Sequence, residues 1–225
     1  MSRIILMAMT LAVTVAGCNR FPDLSIQVTA NLQPDESSCV VDATQENVLF
    51  GGMYDLDAPA FDYIVTPRIE SYIVDTSIES QAPQGNIQIT SFEITMKLPD
   101  GTIPELEGGL PNPYLVTTSA VIPPSQVLGG ISRGTAAARA IPLSYSDAFR
   151  ALVASSDFDS VILDIRANGQ TAGGFSQTSP PFSWPVFTCN GCLANPLCMS
   201  AEDIGCLPGQ DIWAYCTGFV PTDPT

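Results

Sequence analysis

The sequence predicts an all-β protein: an antiparallel sandwich with one short crossover helix and a disulfide-rich C-terminal tail. Three observations carry this prediction. Apolar and polar residues alternate strictly in five or six separate segments, turn dipeptides punctuate them, and five of the seven cysteines crowd into the last 37 residues. Alternation with period two is the mark of a strand with one buried face, because successive side chains leave a strand on opposite sides.

The first segment sets Leu24, Ile26, Val28, Ala30 and Leu32 against Ser25, Gln27, Thr29 and Asn31. Tyr63 to Val74 reads as a strand interrupted at Pro67, which suits an edge or a bulge because proline donates no ladder hydrogen bond. Ile87 to Leu98 changes phase at Thr90-Ser91, between Ile87 and Ile89 on one side and Phe92, Ile94, Met96 and Leu98 on the other, so a β-bulge is expected there. Tyr114 to Ile122, Val161 to Ala167 and Phe182 to Phe187 complete the set, the last with Phe182, Trp184 and Val186 on one face. Asp100-Gly101 and Asn168-Gly169 are dipeptides that accept positive φ, so hairpins are expected at both, the second joining Val161–Ala167 to Gln170–Gln177.

One segment departs from this rhythm. Ser146-Asp147 is followed by Phe149, Leu152 and Val153 at helical spacing, with Ser146 placed to cap the helix. The stretch from Pro123 to Ala138, with Gly129, Gly130 and Gly134 and three successive alanines, reads as a long mobile loop where binding would sit. Seven or so short strands and one brief helix fit an immunoglobulin-like sandwich, although the Cys…Trp…Cys pattern of true immunoglobulin domains is absent.

Composition excludes whole classes of chemistry. With 8 basic residues against 23 acidic, the formal net charge is −15. Lys97 is the sole lysine, so the basic stripe that nucleic-acid binding requires is missing and no nucleic-acid partner is expected. The chain has no histidine, which removes the usual base of a Ser or Cys nucleophile and the commonest metal ligand. No catalytic residue, metal or cofactor is expected.

The amino terminus combines Arg3, the apolar run Ile4 to Val15 and the small residues Ala16-Gly17 before Cys18. The run is too short to span a bilayer as a helix, which needs about 20 residues, and it has the layout of a signal peptide. Val15-Ala16-Gly17-Cys18 resembles the lipobox of bacterial lipoproteins, in which the cysteine is acylated, palmitate being the typical chain, and becomes the first mature residue. The resemblance implies a partner, the lipid bilayer, reached through acylated Cys18. The family's sorting rule places aspartate after the cysteine for inner-membrane retention; with Asn19 at that position, the resemblance implies the outer membrane in a cell that has one, facing the periplasm or the surface. Cleavage there leaves 7 basic and 23 acidic side chains. The expected layout is a signal peptide over 1–17, a lipidated tether over 18–23, a sandwich over 24–188, a cysteine-rich tail over 189–217 and a flexible C-terminus over 218–225.

Apart from Cys18, six cysteines remain: Cys39, Cys189, Cys192, Cys198, Cys206 and Cys216. An even number in an exported chain points to three disulfides. If all six pair, Cys39 must bridge to the tail, which stabilises by about 5 kcal/mol on chain-entropy grounds. Cys189-Asn190-Gly191-Cys192 has the CxxC spacing of thiol oxidoreductases, where a helix N-terminus activates the attacking thiol. Asn190-Gly191 is a turn dipeptide and Pro196 follows, so no helix is expected and the disulfide scaffold is favoured. A four-thiolate zinc site would need two matched CxxC pairs, and only one is present. Asp55-Leu56-Asp57 and Asp157-Phe158-Asp159 could each help hold Ca²⁺, but neither completes a calcium loop.

Taken together, the lipobox, the β-rich domain, Phe187-Thr188-Cys189-Asn190-Gly191-Cys192-Leu193 and Pro208-Gly209-Gln210-Asp211 are similar to a group of uncharacterised lipoproteins of myxobacteria-like Gram-negative genomes. That resemblance implies no activity. The expected role is non-enzymatic, structural or adhesive, toward a protein or glycan partner. The alternatives are a glycan- or calcium-binding module using the long loops, and a thiol-redox protein using Cys189 and Cys192.

Overall fold

The computed structural model describes residues 25–35, 40–58, 61–74, 85–193 and 210–211. It is an all-β sandwich with one short helix. The strands are β1 (Ile26–Leu32), β2 (Val48–Leu49), β3 (Gly52–Asp55), β4 (Tyr63–Val65), β5 (Pro67–Ser71), β6 (Ile87–Lys97), β7 (Tyr114–Ile122), β8 (Ser132–Thr135), β9 (Ala138–Ile141), β10 (Ser160–Thr171), β11 (Ser176–Thr178) and β12 (Phe182–Cys189). One sheet has the order β2-β1-β5-β8 and the other β3-β12-β10-β6-β7, with β11 on β10; β4 and β9 form a separate pair. Every named pairing is antiparallel except β12 with β3, which is parallel.

The core lies between the two larger sheets. The first contributes Ile26, Val28 and Ile69, the second Ile87, Ile89, Phe92, Ile94, Met96, Val161, Leu163, Ile165, Trp184 and Val186, all buried. The phase change in β6 has the expected cause. Against β10, Ser91 faces Asn168 and Ile89 faces Gly169, so Thr90 is the extra residue. Absorbing one residue in a bulge keeps Ile87 and Ile89 on the same face as Phe92, Ile94 and Met96.

Several expectations are corrected. Tyr63 to Val74 is not one strand: β4 pairs with β9 and β5 with β1, and the chain changes sheet at Thr66, just before Pro67. Asn168-Gly169 makes no hairpin. It lies inside β10, because extending the strand to Thr171 pairs it with β6 back to Ile87, and the turn falls at Ala172–Phe175 instead. Asp100-Gly101 does turn, with Gly101 N–H donating to Leu98 O at 2.8 Å, but β7 begins only at Tyr114. Pro123 to Ala138 is no continuous loop, since β8 runs antiparallel to β5 within it and β9 begins at Ala138.

Helix α1 (Ser146–Ser155) buries Ala148 and Phe149, and Leu152 and Val153 pack against the core. Ser146 does not cap it. A 3₁₀ turn over Leu143–Tyr145 leads directly in, Ser146 already has right-handed helical angles, and its buried hydroxyl finds no partner among the described residues. Arg150 fastens the helix instead, donating from Nη1 to Leu56 O and from Nη2 to Ala58 O, the latter at 2.6 Å.

The bulge makes a test. Uninterrupted alternation from Ile87 would bury Ser91 and Glu93 and expose Phe92. Phe92→Ala is therefore expected to lower stability by about 3–5 kcal/mol in urea unfolding, the loss typical of a buried phenylalanine. Thr90→Ala, on the outer side, is expected to stay within about 0.5 kcal/mol of the parent.

Candidate functional site

The polar chemistry in the interior gathers where the chain after β12 meets β3 and β4. Parallel pairing sets Cys189 beside Asp55, the last residue of β3, and Leu56 N–H donates to Cys189 O at 2.7 Å. Asp55 is fully buried. Its Oδ1 accepts from Asp57 N–H at 3.0 Å and Gly191 N–H at 2.7 Å, and its Oδ2 accepts from Leu193 N–H at 2.9 Å. One carboxylate thus fixes its own turn and the Cys189–Leu193 turn. Gly191 adopts φ 67°, a left-handed angle that favours glycine, as the Asn190-Gly191 dipeptide leads one to expect.

Cys189 and Cys192 are joined by a disulfide across a Cα–Cα distance of 5.8 Å. Closing so small a loop stabilises by roughly 2 kcal/mol on chain-entropy grounds. No helix begins within residues 189–193, so the helix dipole that activates a CxxC thiol is missing from this turn. The ligand atoms of Asp55, Cys189 and Cys192 lie within 4.8 Å of one another, the one such trio among the described residues. A soft cation would need both sulfurs as thiolates, and here they are bonded to each other.

The second anchor is Gln210-Asp211, from the Pro208-Gly209-Gln210-Asp211 motif. The Gln210 side chain pairs with the backbone of Ile64 in both directions, Ile64 N–H donating to Oε1 at 2.7 Å and Nε2 donating to Ile64 O at 2.6 Å. Asp211 N–H donates to Met53 O at 3.1 Å, and Met53 N–H returns to Asp211 Oδ1 at 2.9 Å. Tyr63 donates its hydroxyl to the same oxygen at 2.7 Å and accepts from Trp184 Nε1 at 3.0 Å, so a buried indole and phenol lead to a half-buried carboxylate. Gly52 makes room for it, since a Cβ there would sit 1.7 Å from Tyr63 Oη. Burial pushes the Asp211 carboxyl up to about 6, against the lowering effect of its hydrogen bonds from Tyr63, Met53 and Gln210. Burial, more than the facing carboxylate, also pushes the Tyr63 phenol well up.

Lys97 donates to Asp164, which also accepts from Ser183 Oγ at 2.6 Å. Burial pushes the Asp164 carboxyl up, and the hydrogen bonds from Lys97 and Ser183 outweigh it and hold the group below the usual carboxylate range.

Of the residues singled out in the sequence, the structure brings together Cys189, Cys192 and Asp55. Cys18, Cys39, Cys198, Cys206 and Cys216 lie outside the described residues, as does most of the tail. Asp55-Leu56-Asp57 does not open toward a cation, because Asp55 turns inward onto backbone donors. Asp157 and Asp159 join no three-ligand group among the described residues. The pairing of Asp211 with Tyr63 has no local pattern in the sequence. The available signal is Gln210-Asp211, two polar residues between the dipeptide Pro208-Gly209 and the apolar Ile212-Trp213.

Two outcomes follow from these anchors. Asp55→Ala leaves the N–H groups of Gly191 and Leu193 without their acceptor and is expected to lower stability by on the order of 3 kcal/mol, with faster reduction of Cys189–Cys192 by dithiothreitol. For Asp211 the folded-state pKa lies above that of the unfolded chain, near 3.9. Its contribution is complete below pH 4 and is lost as the pH rises through about 6. Relative to Asp211→Asn, the parent chain is therefore expected to lose stability between pH 4 and pH 7, by on the order of 3 kcal/mol, in denaturant unfolding across that range.

No protein family matches the chain, and no curated protein matches it. Among solved structures it is similar to a Northeast Structural Genomics Consortium target determined by X-ray crystallography, at 10% identity and a TM-score of 0.30, over 77% of this chain and 93% of that one. A likeness of that size carries no argument about activity.

Proposed function

We propose that the chain is an exported lipoprotein, held at a membrane by acyl chains on Cys18, whose sandwich serves a structural or adhesive role and not a catalytic one. The observation that carries this reading is Val15-Ala16-Gly17-Cys18 directly after a basic residue and a short apolar run. More than one acyl chain is a stable anchor, at about 0.8 kcal/mol per buried CH₂. Asn19 favours the outer membrane.

The interior supports a scaffold. Asp55, buried, and Asp211, half-buried, could otherwise serve as proton donors or acceptors, and both are engaged by backbone N–H groups and fasten distant segments. Cys189–Cys192 fits an oxidising compartment. With that bridge made, Cys39, Cys198, Cys206 and Cys216 remain for two more, one of which ties Cys39 to the tail. A thiol-redox role for Cys189 and Cys192 is the second reading, favoured by a half-buried CxxC disulfide beside a buried carboxylate. Equal rates of insulin-disulfide reduction by the parent chain and by Cys189→Ser/Cys192→Ser would remove it.

Intact mass of the protein from the native membrane fraction, before and after reduction, tests the main reading. The expected result is an acylated chain beginning at Cys18 that gains six hydrogens on reduction. Cys18→Ser is expected to release the chain from the membrane. A chain without acyl mass overturns the proposal.

A further inference from the structure

The sandwich has two unlike ends. One gathers the start of β1, the end of β5, the β7–β8 connection and the β10–β11 turn. Ser25 O accepts from Tyr72 N–H at 3.0 Å, Ile73 O accepts from Ser125 N–H at 2.8 Å, and Ser25 Oγ donates to Gln177 Oε1. On the other side Ala172 N–H donates to Asn86 O at 3.1 Å, just before β6. This end carries exposed apolar side chains in quantity: Leu128 is 88% exposed, Phe175 73%, Val127 68% and Val121 60%. The segments that supply them carry no charge, since no acidic or basic residue occurs from Gly108 to Ser132 or from Ala167 to Phe182. Charges that border these segments are Arg133, paired with Glu70 at 3.1 Å, and Asp42, which accepts from Thr44 beside the β7–β8 connection. Asp55, Asp57, Asp100, Asp157 and Asp159 belong to the opposite end, with the last residues of β3, β6 and β12 and the first of β10.

The chain enters the sandwich at the apolar end. Six residues lie between Cys18 and Ser25, a reach of at most roughly 25 Å even when fully extended. An exposed apolar patch with no charge within it marks a binding surface for another apolar phase. We propose that Val127 and Leu128 on the β7–β8 connection and Phe175 on the β10–β11 turn dock on the surface of the bilayer to which Cys18 ties the chain. This rests on the lipoprotein reading. The acyl chains supply the affinity, and the patch sets the pose: apolar end down, acidic end toward the solvent and any partner. Anionic headgroups are not required, because the cation that borders the patch, Arg133, is paired with Glu70.

The test compares the acylated mature chain in phosphatidylcholine vesicles with an unlipidated Cys18→Ser chain free in solution, by hydrogen–deuterium exchange. Intact mass first reports the acyl chains. On vesicles, slowed exchange is expected over 125–131 and 172–177, with no change at 99–102 and 156–159. Leu128→Asp/Phe175→Asp is expected to lose that protection while its acyl chains keep it on the vesicles. Acylated protein with equal exchange in both settings overturns docking and leaves the lipoprotein reading intact. Absence of acyl mass from native protein overturns the lipoprotein reading itself. Protection of the same loops in solution that grows with protein concentration overturns docking in favour of a second copy.

Discussion

The pairing of β6 with β10 is the constraint on which the rest of the structure depends. These strands lie at the middle of the larger sheet, and their register runs from Ile162 beside Lys97 to Thr171 beside Ile87. A slip of one residue would put Phe92, Ile94 and Met96 on the opposite face from Leu163 and Ile165, so that one set or the other left the core. The bulge at Thr90 keeps the apolar face continuous over the whole ladder, and β7 and β12 take their places from it on either side. The other sheet then closes the core by laying Ile26, Val28 and Ile69 against that face.

Once β12 is placed, the chemistry of the interior follows from where it ends. Parallel pairing with β3 brings Cys189 to Asp55, and a carboxylate in a dry site must find donors or lose its charge. Asp55 finds three backbone N–H groups, two of them in the disulfide turn. Asp211 finds Met53 N–H and the Tyr63 hydroxyl but sits deep enough that burial dominates its ionisation. Both acids work as fasteners for segments remote in sequence.

The same strand order gives the sandwich its polarity. Turns at the end where β1 begins are made from glycine, proline, amides and exposed apolar side chains, while those at the other end carry aspartates. The exposed side chains of these turns lie outside the core, so the asymmetry belongs to the surface of the sandwich.

Much of this was legible in the amino-acid order, because period-two alternation, a phase break and a helical interval are local patterns. They determined that β1, β6, β7 and β12 exist, that β6 bulges at Thr90, that α1 follows Tyr145 and that Cys189-Asn190-Gly191-Cys192 turns. The acid excess and the lack of histidine are likewise properties of the sequence alone. What only the tertiary structure decided is everything set by long-range contact. Asp55 reads as one of an Asp-x-Asp pair until residues 136 and 138 positions away meet its oxygens, and Asp211 acquires its environment from Met53, 158 positions away. Asn168-Gly169 is turn chemistry in isolation, yet the ladder with β6 holds it extended, because pairing over a full strand outweighs the preference of two residues. Short strands such as β3 and β8 have no pattern of their own and exist because a neighbouring edge offers them hydrogen bonds.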